Sequence, residues 1–571
     1  MKDPISMMRG IWSELYADSD NVLFEQLLGE LEKLKSSNSQ ISLENEWYKN
    51  AVVYSLYVDL FAGDFTGLTA RLDYLSSLGV SCLWLLPILD SPMKDAGFDI
   101  RNYTRIRKEL FGILESASED EEMNLFSAFL DEAHKRGIKV IFDIAMNHTS
   151  MEHSWFKESA KGKDNPFRDY YIWNKDKELY KETRLLFKGM CPSNWEPYNG
   201  EFFFHRFFEF QPDLNYRNPK VLYEMTSVLA FWLSKGVDGF RADAIPYIWK
   251  EDGTDCENLP KAHRIIQFFR AATEYLRPNT LILAEACQPP HEVVKYFSDG
   301  NECHAGYHFP LMPQIFISLA TADPTPIHKV LSESVTPAIP DSCQWFTFLR
   351  CHDELTLEMV TPTEREIMNA AYRKDMRWNF REGEGISARL ANLFDFDAGR
   401  IAQAFSIMLT LPGTPIIYYG DEYGKRNDDV YFNQQSEATG YSDTRYYVRG
   451  PVDWVEVEAK MQMSDSFERK IFDLLAGMLS VRNQTHVFGE GTIAFIELND
   501  EKGNRSNGLL SYIRKTKMES YLVVHNLNPE PSTFVFNKNM EQMFEYGSQN
   551  LSGLYTIAAN GFIWLRILNT M

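Results

Sequence analysis

Cysteine is scarce and poorly placed for a scaffold. The seven residues, Cys82, Cys191, Cys256, Cys287, Cys303, Cys343 and Cys351, are odd in number, widely spaced and never arranged as Cys-x-x-Cys. This excludes a secreted disulfide framework and a cysteine-rich zinc site, and predicts reduced, mostly buried thiols in a cytoplasmic protein. No stretch approaches the ~18 consecutive apolar residues of a membrane span. The opening segment Met1 to Ser6 has no basic stretch followed by an apolar run, so no signal peptide is expected. Positive charge is in deficit: 58 Lys and Arg against 80 Asp and Glu give a net charge of −22. Such a surface repels phosphate backbones, which argues against nucleic acid and anionic membrane as partners. The loops GxGxxG and GxxxxGK(S/T) and the zinc motif HExxH are all missing, so nucleotide and zinc-peptidase chemistry find no support.

What remains is a large globular chain. Its 571 residues, 44% apolar and 24% charged, can bury a core unaided, which excludes disordered and collagen-like proteins. At about 150 residues per domain the length suits three or four domains, or one large barrel with additions. Aromatics reach 14%, and aromatic faces suit sugar rings.

The hydrophobic pattern predicts the organisation. Phe24, Leu27, Leu28, Leu31 and Leu34 follow the 3.6 period of an amphipathic helix over 21–35, ended by the Ser/Asn run at 36–39. Apolar runs that read as strands fall near 51–60, 79–86, 138–144, 238–243, 281–285, 303–309, 345–351 and 415–419. Helical patterns lie between most of them, as at 68–77, 121–136, 220–234 and 260–276. Eight β-then-α units predict an α/β fold, a closed parallel (β/α)8 TIM barrel. About 75 residues rich in Trp, Tyr, Phe, Asn and Pro separate the third strand from the next helix, which predicts a subdomain over the barrel mouth. After a helix at 465–482, alternating strands at 493–498, 508–514, 519–525 and 553–566 predict a C-terminal antiparallel, sandwich-like β domain. The expected division is an N-terminal helical arm at 1–46, a catalytic barrel at 47–484 with its insert at 145–219, and the β domain at 485–571.

Residues at the C-terminal ends of barrel strands face the active site. Here those ends carry Asp143, Asn147 and His148, then Arg241 and Asp243, then Glu285, then His352, Asp353 and Glu354. A single charged strand end is commonly a solvated loop start; four together point to a site. Arg241 and Asp243, two apart, share one face of a strand, and a guanidinium beside a carboxylate favours its ionised, nucleophilic form. Glu285 comes one unit later, and adjacent strands ~4.8 Å apart can bring two carboxyls to the ~5–5.5 Å of retaining glycosidases. Its neighbours Ala284 and Ala286 are apolar, a setting that raises a carboxyl pKa. From spacing alone, a structural Arg–Asp pair beside an unrelated Glu is an equal alternative.

The segments Asp143–His148, Gly239–Asp243, Glu285 and His352–Asp353 resemble the four diagnostic motifs of glycoside hydrolase family 13, the α-amylase family, and Gln211–Asn215 and Gly413–Asp421 resemble two more. The resemblance runs from about Trp47 to Trp454. It implies a retaining double displacement on an α-glucosidic bond, with Asp243 as nucleophile, Glu285 as general acid/base and Asp353 as transition-state stabiliser. It also implies that Asn147, His148, Arg241 and His352 line the pocket for the first glucose. Within the family, Trp47–Val52, Phe202–Phe208, Gly300–His304, Phe309–Pro313 and Phe348–Val360 resemble trehalose synthases, while Tyr57–Asp64, Ile248–Lys250 and Asn427–Asp429 resemble amylosucrases; Glu257–Pro260 resembles both. The stretches around Glu285 and Asp353 favour the trehalose synthases.

Further pocket residues follow from the resemblance. Ser91–Asp99 is similar to a segment whose aromatic ring lies under the first glucose, adding Asp95, Phe98 and Asp99 to the expected site; Phe98 stands where the family usually has Tyr. Val448–Pro451 is similar to a segment whose Arg pairs with an Asp on the pocket floor, here Arg449 with Asp95, which would limit the pocket to disaccharide-sized substrates. Val452-Asp453-Trp454 replaces the usual Met-Gln-Trp. Trehalose synthases also imply calcium ligands at Asn147 and Asp213 with a Glu at position 250, where this chain has Lys250. An ammonium cannot ligate a cation but can replace one by pairing with Asp213, so no cofactor is expected and calcium is doubted. The expected substrates are small α-glucosides: maltose, trehalose, sucrose or short maltooligosaccharides. The expected reaction is maltose–trehalose isomerisation, with sucrose-using transglucosylation or hydrolysis, amylase or α-glucosidase action, and a catalytically silent sugar-binding protein as alternatives.

Overall fold

The computed structural model describes residues 3–16, 21–37, 43–112, 118–187 and 191–568. Eight short strands close a barrel: β1 (Val53–Leu56), β2 (Cys82–Leu85), β3 (Lys139–Ala145), β4 (Gly239–Asp243), β5 (Leu281–Ala284), β6 (Ala305–Tyr307), β7 (Gln344–Phe348) and β8 (Thr414–Tyr418). Each pairs in parallel with its neighbour in sequence, and β8 closes on β1 through Val53↔Ile416. Every strand is buried along nearly its whole length, which is why each reads in sequence as a continuous apolar run rather than an alternating one. All eight lie within or beside the runs that the sequence marks.

Two excursions rise from the strand ends. After β3, the strands Trp173–Asn174, Trp195–Tyr198 and Glu201–Phe204 form a three-stranded sheet packed on the rings of Phe156, Trp173 and Phe203. After β7, a small sheet of Leu355–Thr356, Asn379–Phe380 and Gly385–Ile386 stands beside it. The first is the expected insert; the second was hidden in the sequence because its strands are two residues long.

The N-terminal arm holds two helices rather than the one predicted: α1 (Pro4–Tyr16) and α2 (Asn21–Ser37). Residues 38 and 39 of the Ser/Asn run expected to end α2 lie outside the described residues. The arm packs on α3 (Pro219–Ser234) and α4 (Pro260–Leu276), which flank β4. Trp12 meets Phe24 and Phe268 at ring-centroid distances of 5.6 and 5.9 Å.

The C-terminal domain has six strands, two more than predicted: β9 (Thr492–Phe495), β10 (Leu509–Lys515), β11 (Ser520–Asn526), β12 (Ser532–Val535), β13 (Met540–Leu551) and β14 (Leu554–Ile567). They form one antiparallel sheet rather than two stacked ones. Register shifts between Gln542 and Phe544 and between Tyr546 and Ser548 bend β13 along β14. The bent sheet encloses its own apolar cluster, which includes Leu522, Phe534, Ile557 and Ile563. Among the described residues no helix is long and apolar enough to cross a membrane.

Candidate active site

Gly239 lets β4 and β5 approach closely: a Cβ there would lie 2.5 Å from the Leu281 carbonyl oxygen. The register pairs Leu283 with Arg241 and Ala284 with Ala242, so Glu285 falls level with Asp243, one strand spacing (~4.8 Å) across. After Asp243 the chain turns through Ala244 in the left-handed region (φ 56°), and the Ala244 N–H donates to Glu285 Oε2 at 3.0 Å. The two carboxyls thus belong to one hydrogen-bonded strand pair and line one cavity at the C-terminal mouth of the barrel.

Arg241 holds the acidic groups together. Its Nη1 lies 2.9 Å from Asp143 Oδ1 and donates to Asp243, and its Nη2 stands 3.8 Å from Glu285 Oε1. Asp143 also accepts from the Trp84 indole at 2.8 Å. Burial raises the pKa of every carboxyl here, and Arg241 opposes it. Glu285, farthest from the guanidinium, is pushed up to about 7 by burial. Asp243 takes the direct charge-assisted bond, so in this coupled pair the proton resides on Glu285 and the negative charge on Asp243.

Asp353 is held differently. Burial would raise it, but the His352 ring at 3.1 Å and the guanidiniums of Arg449 at 3.0 Å and Arg445 at 3.2 Å outweigh burial and keep its pKa well below the usual range. His352 is itself pushed down to about 4 by burial, so it is a neutral hydrogen-bond donor near pH 7. Its ring stacks on Phe98 with centroids 5.6 Å apart, and Arg241 lies over the same Phe98 ring. The absent Tyr hydroxyl therefore costs no stacking.

The structure brings Asp95, Phe98, His148, Arg241, Asp243, Glu285, His352 and Asp353 to the cavity. Three residues expected to line it do not. Asp99 is fully buried in its own loop, accepting from Ser91 Oγ at 2.9 Å and from the Lys94 and Asp95 amides at 3.1 Å. Asn147 is turned toward Lys250, and Arg449 donates to Asp353 and to the His352 carbonyl. The expected Arg449–Asp95 pair is also corrected: the guanidinium facing Asp95 is Arg445, at 3.7 Å, with Gln211 donating to the same carboxylate at 2.9 Å. Arg445 is fixed by Asp443 at 2.6 Å. Sequence reasoning missed Arg445 because it lies in a short 3-10 helix (Thr444–Val448) beyond β8 and not at a strand end; its signal was the i, i+2 spacing of Arg445 from the helix cap Asp443. Glu354, read from sequence only as a strand-end charge with no role, lines the cavity and is raised to about 7 by burial, and the paired Glu358 and Arg381 of the cavity lining were missed.

The residues that would hold calcium do not fit a cation. The Lys250 ammonium lies 2.7 Å from both Asn147 Oδ1 and Asp213 Oδ2, and it is 3% exposed. A positive charge already stands where the ion would be.

The alpha-amylase catalytic-domain model matches residues 11–491. The chain belongs to the alpha-amylase family. It is 38% identical over 578 residues to the trehalose synthase/amylase TreS of Mycolicibacterium smegmatis, covering 92% of this chain and 93% of that protein. It is 37% identical to the trehalose synthase of Pimelobacter sp. over 92% of this chain and 96% of that one. The solved alpha-amylase from H. orenii superposes with a TM-score of 0.70 at 24% identity, over 91% of this chain and 100% of that chain. As a member of the alpha-amylase family the protein is a glycoside-active enzyme with trehalose-synthase-like relatives.

Proposed function

We propose that this enzyme interconverts maltose and trehalose by retaining α-glucosyl transfer. The observation that carries the reading is the convergence of Asp243, Glu285 and Asp353 on one cavity in three different electrostatic settings. Asp243 attacks the anomeric carbon as Glu285 gives its proton to the departing oxygen, leaving a β-glucosyl ester on Asp243. Asp353, kept anionic, stabilises the positive charge that develops on the sugar ring. The released glucose turns, its anomeric hydroxyl attacks the ester, and Glu285 takes the proton back. The cavity, about 160 Å³, is below the roughly 300–1,000 Å³ of common small-molecule pockets, a size that suits one sugar unit at the reacting carboxyls.

Hydrolysis is the second reading. An oligo-1,6-glucosidase from Heyndrickxia coagulans is 31% identical over 74% of this chain, and water reaching the ester would release glucose. Incubating the pure protein separately with maltose, trehalose and sucrose, then identifying products, separates the readings. Trehalose from maltose, and maltose from trehalose, is expected; consumption of sucrose alone overturns the proposal. No calcium requirement is inferred, because Lys250 fills that position. The seven free thiols support a cytoplasmic location.

The acid/base assignment has a pH signature. Glu285 must be protonated for the first step, so kcat/KM is expected to fall as pH rises through about 7. Glu285→Gln should lower turnover by roughly 10²–10⁴-fold and abolish that alkaline limb. A limb that persists unchanged in the variant would assign the proton to another group.

A further inference from the structure

The register between β5 and β6 pairs Leu283 with Ala305 and Ala284 with Gly306, so Tyr307 falls level with Glu285, as Glu285 does with Asp243. Level residues of neighbouring parallel strands point to the same face. Asp243, Glu285 and Tyr307 thus stand in one row at the mouth of the barrel, and all three line the cavity. Tyr307 is 3% exposed, and its ring centroid lies 5.9 Å from Trp84 and 5.7 Å from Phe348. Its hydroxyl makes no well-formed hydrogen bond among the described residues, and neither does Nε of Arg241. Burial pushes the hydroxyl pKa well above the usual range, and the adjacent Arg241 guanidinium opposes it most. A buried hydroxyl without a partner is unfavourable in the resting enzyme, and the glucosyl-transfer steps above make no use of it.

We propose that Tyr307 is a positioning residue for the glucosyl ester: once Asp243 is esterified, the Tyr307 hydroxyl oxygen accepts the hydrogen bond from Arg241 that Asp243 no longer holds. The role rests on Asp243 as nucleophile. In the resting enzyme Arg241 directs Nη1 at Asp143 and Asp243. The Asp243 oxygen then bonds to the anomeric carbon while the bond from that carbon to the leaving oxygen breaks. The electron pair departs with the leaving oxygen, which takes the Glu285 proton. Asp243 is now neutral, and the negative charge has moved one strand across, to Glu285. The guanidinium is drawn the same way, toward the strand ends that carry Glu285 and Tyr307. An ester is a poorer acceptor than a carboxylate, and a hydroxyl oxygen with free lone pairs takes the released N–H. A third carboxylate in the row would push the proton affinity of Glu285 higher still; a hydroxyl supplies the acceptor without adding charge.

The test compares the wild-type chain with Tyr307→Phe, which removes the oxygen and keeps the ring. The probe is 5-fluoro-α-glucosyl fluoride: fluoride leaves, and the ring fluorine slows the second step, so the ester accumulates and is read by intact mass and peptide mapping. The wild type is expected to form an ester on Asp243. Tyr307→Phe should form it about ten- to a hundredfold more slowly, the worth of one hydrogen bond to a charged group, and kcat on maltose should fall with it. The glucose dissociation constant should stay within about threefold, because the bond is made only along the reaction path. The melting temperature should not fall, because the free enzyme leaves that hydroxyl unpaired. Trapping within about twofold of the wild-type rate overturns the role of Tyr307 and leaves Asp243 as nucleophile. Slower trapping with a lower melting temperature, or with an equal loss of glucose affinity, marks a structural prop and also overturns it. A wild type that forms no ester on Asp243 overturns the active-site reading and the role of Tyr307 together.

Discussion

Replacing Asp243 by Asn is expected to lower turnover by roughly ten-thousand-fold or more while leaving sugar affinity within about tenfold. An amide has no negative oxygen with which to form the glucosyl ester, yet it keeps the size of the carboxyl and can still meet Arg241. The loss belongs to kcat, because the bond from Asp243 to the anomeric carbon exists only along the reaction path. The variant should also change Glu285. The Asp243 charge helps to hold that carboxyl near 7, so its removal lets the Glu285 pKa fall, a shift readable by difference infrared titration. Turnover that survives the substitution would remove Asp243 from the mechanism. A wild-type protein that binds sugars and turns none over would instead mark a silent sugar-binding member.

The second large effect is expected at Lys250. Its ammonium and the Asp213 carboxylate are 3% and 0% exposed and lie 2.7 Å apart. Removing one partner of a buried pair leaves the other charge uncompensated, at a cost of about 3–5 kcal/mol. Lys250→Met should therefore lower the melting temperature by several degrees, and the wild-type melting curve should not move when a chelator is added. Lys250→Glu tests the exchange of ion for ammonium directly. That variant should be unstable alone, recover with calcium and lose the gain again with chelator. A clear drop in the wild-type melting temperature on chelation would refute the substitution of ammonium for ion.

The barrel was legible because a buried parallel strand needs apolar side chains on both faces, and runs such as Lys139–Ala145 stand out from amphipathic helices. The carboxyls at 243 and 285 were legible for the complementary reason: charge at the end of an apolar run has no place in a core. Two strands of the C-terminal domain were not. Met540–Leu551 is a largely exposed edge with bulges, so its side chains follow neither a period of two nor an apolar run. The cavity's second layer was only partly readable. Asp99, Asn147 and Arg449 belong to the right segments, but sequence gives no means of telling a side chain that faces the sugar from one that holds a neighbour in place. Arg445, which faces Asp95, comes from a short 3-10 helix whose placement depends on the assembled barrel.

The N-terminal helices bear on catalysis from outside the cavity. α1 and α2 lie against α4, and α4 is the connection between the strand that ends at Asp243 and the strand that precedes Glu285. Trp12 and Phe24 are wedged against Phe268 on that connection. Proteolytic trimming of the first forty residues would strip the outer cover from the one repeat that spaces the two reacting groups. The damage would then register as lost turnover, although no residue of the cavity had been cut away.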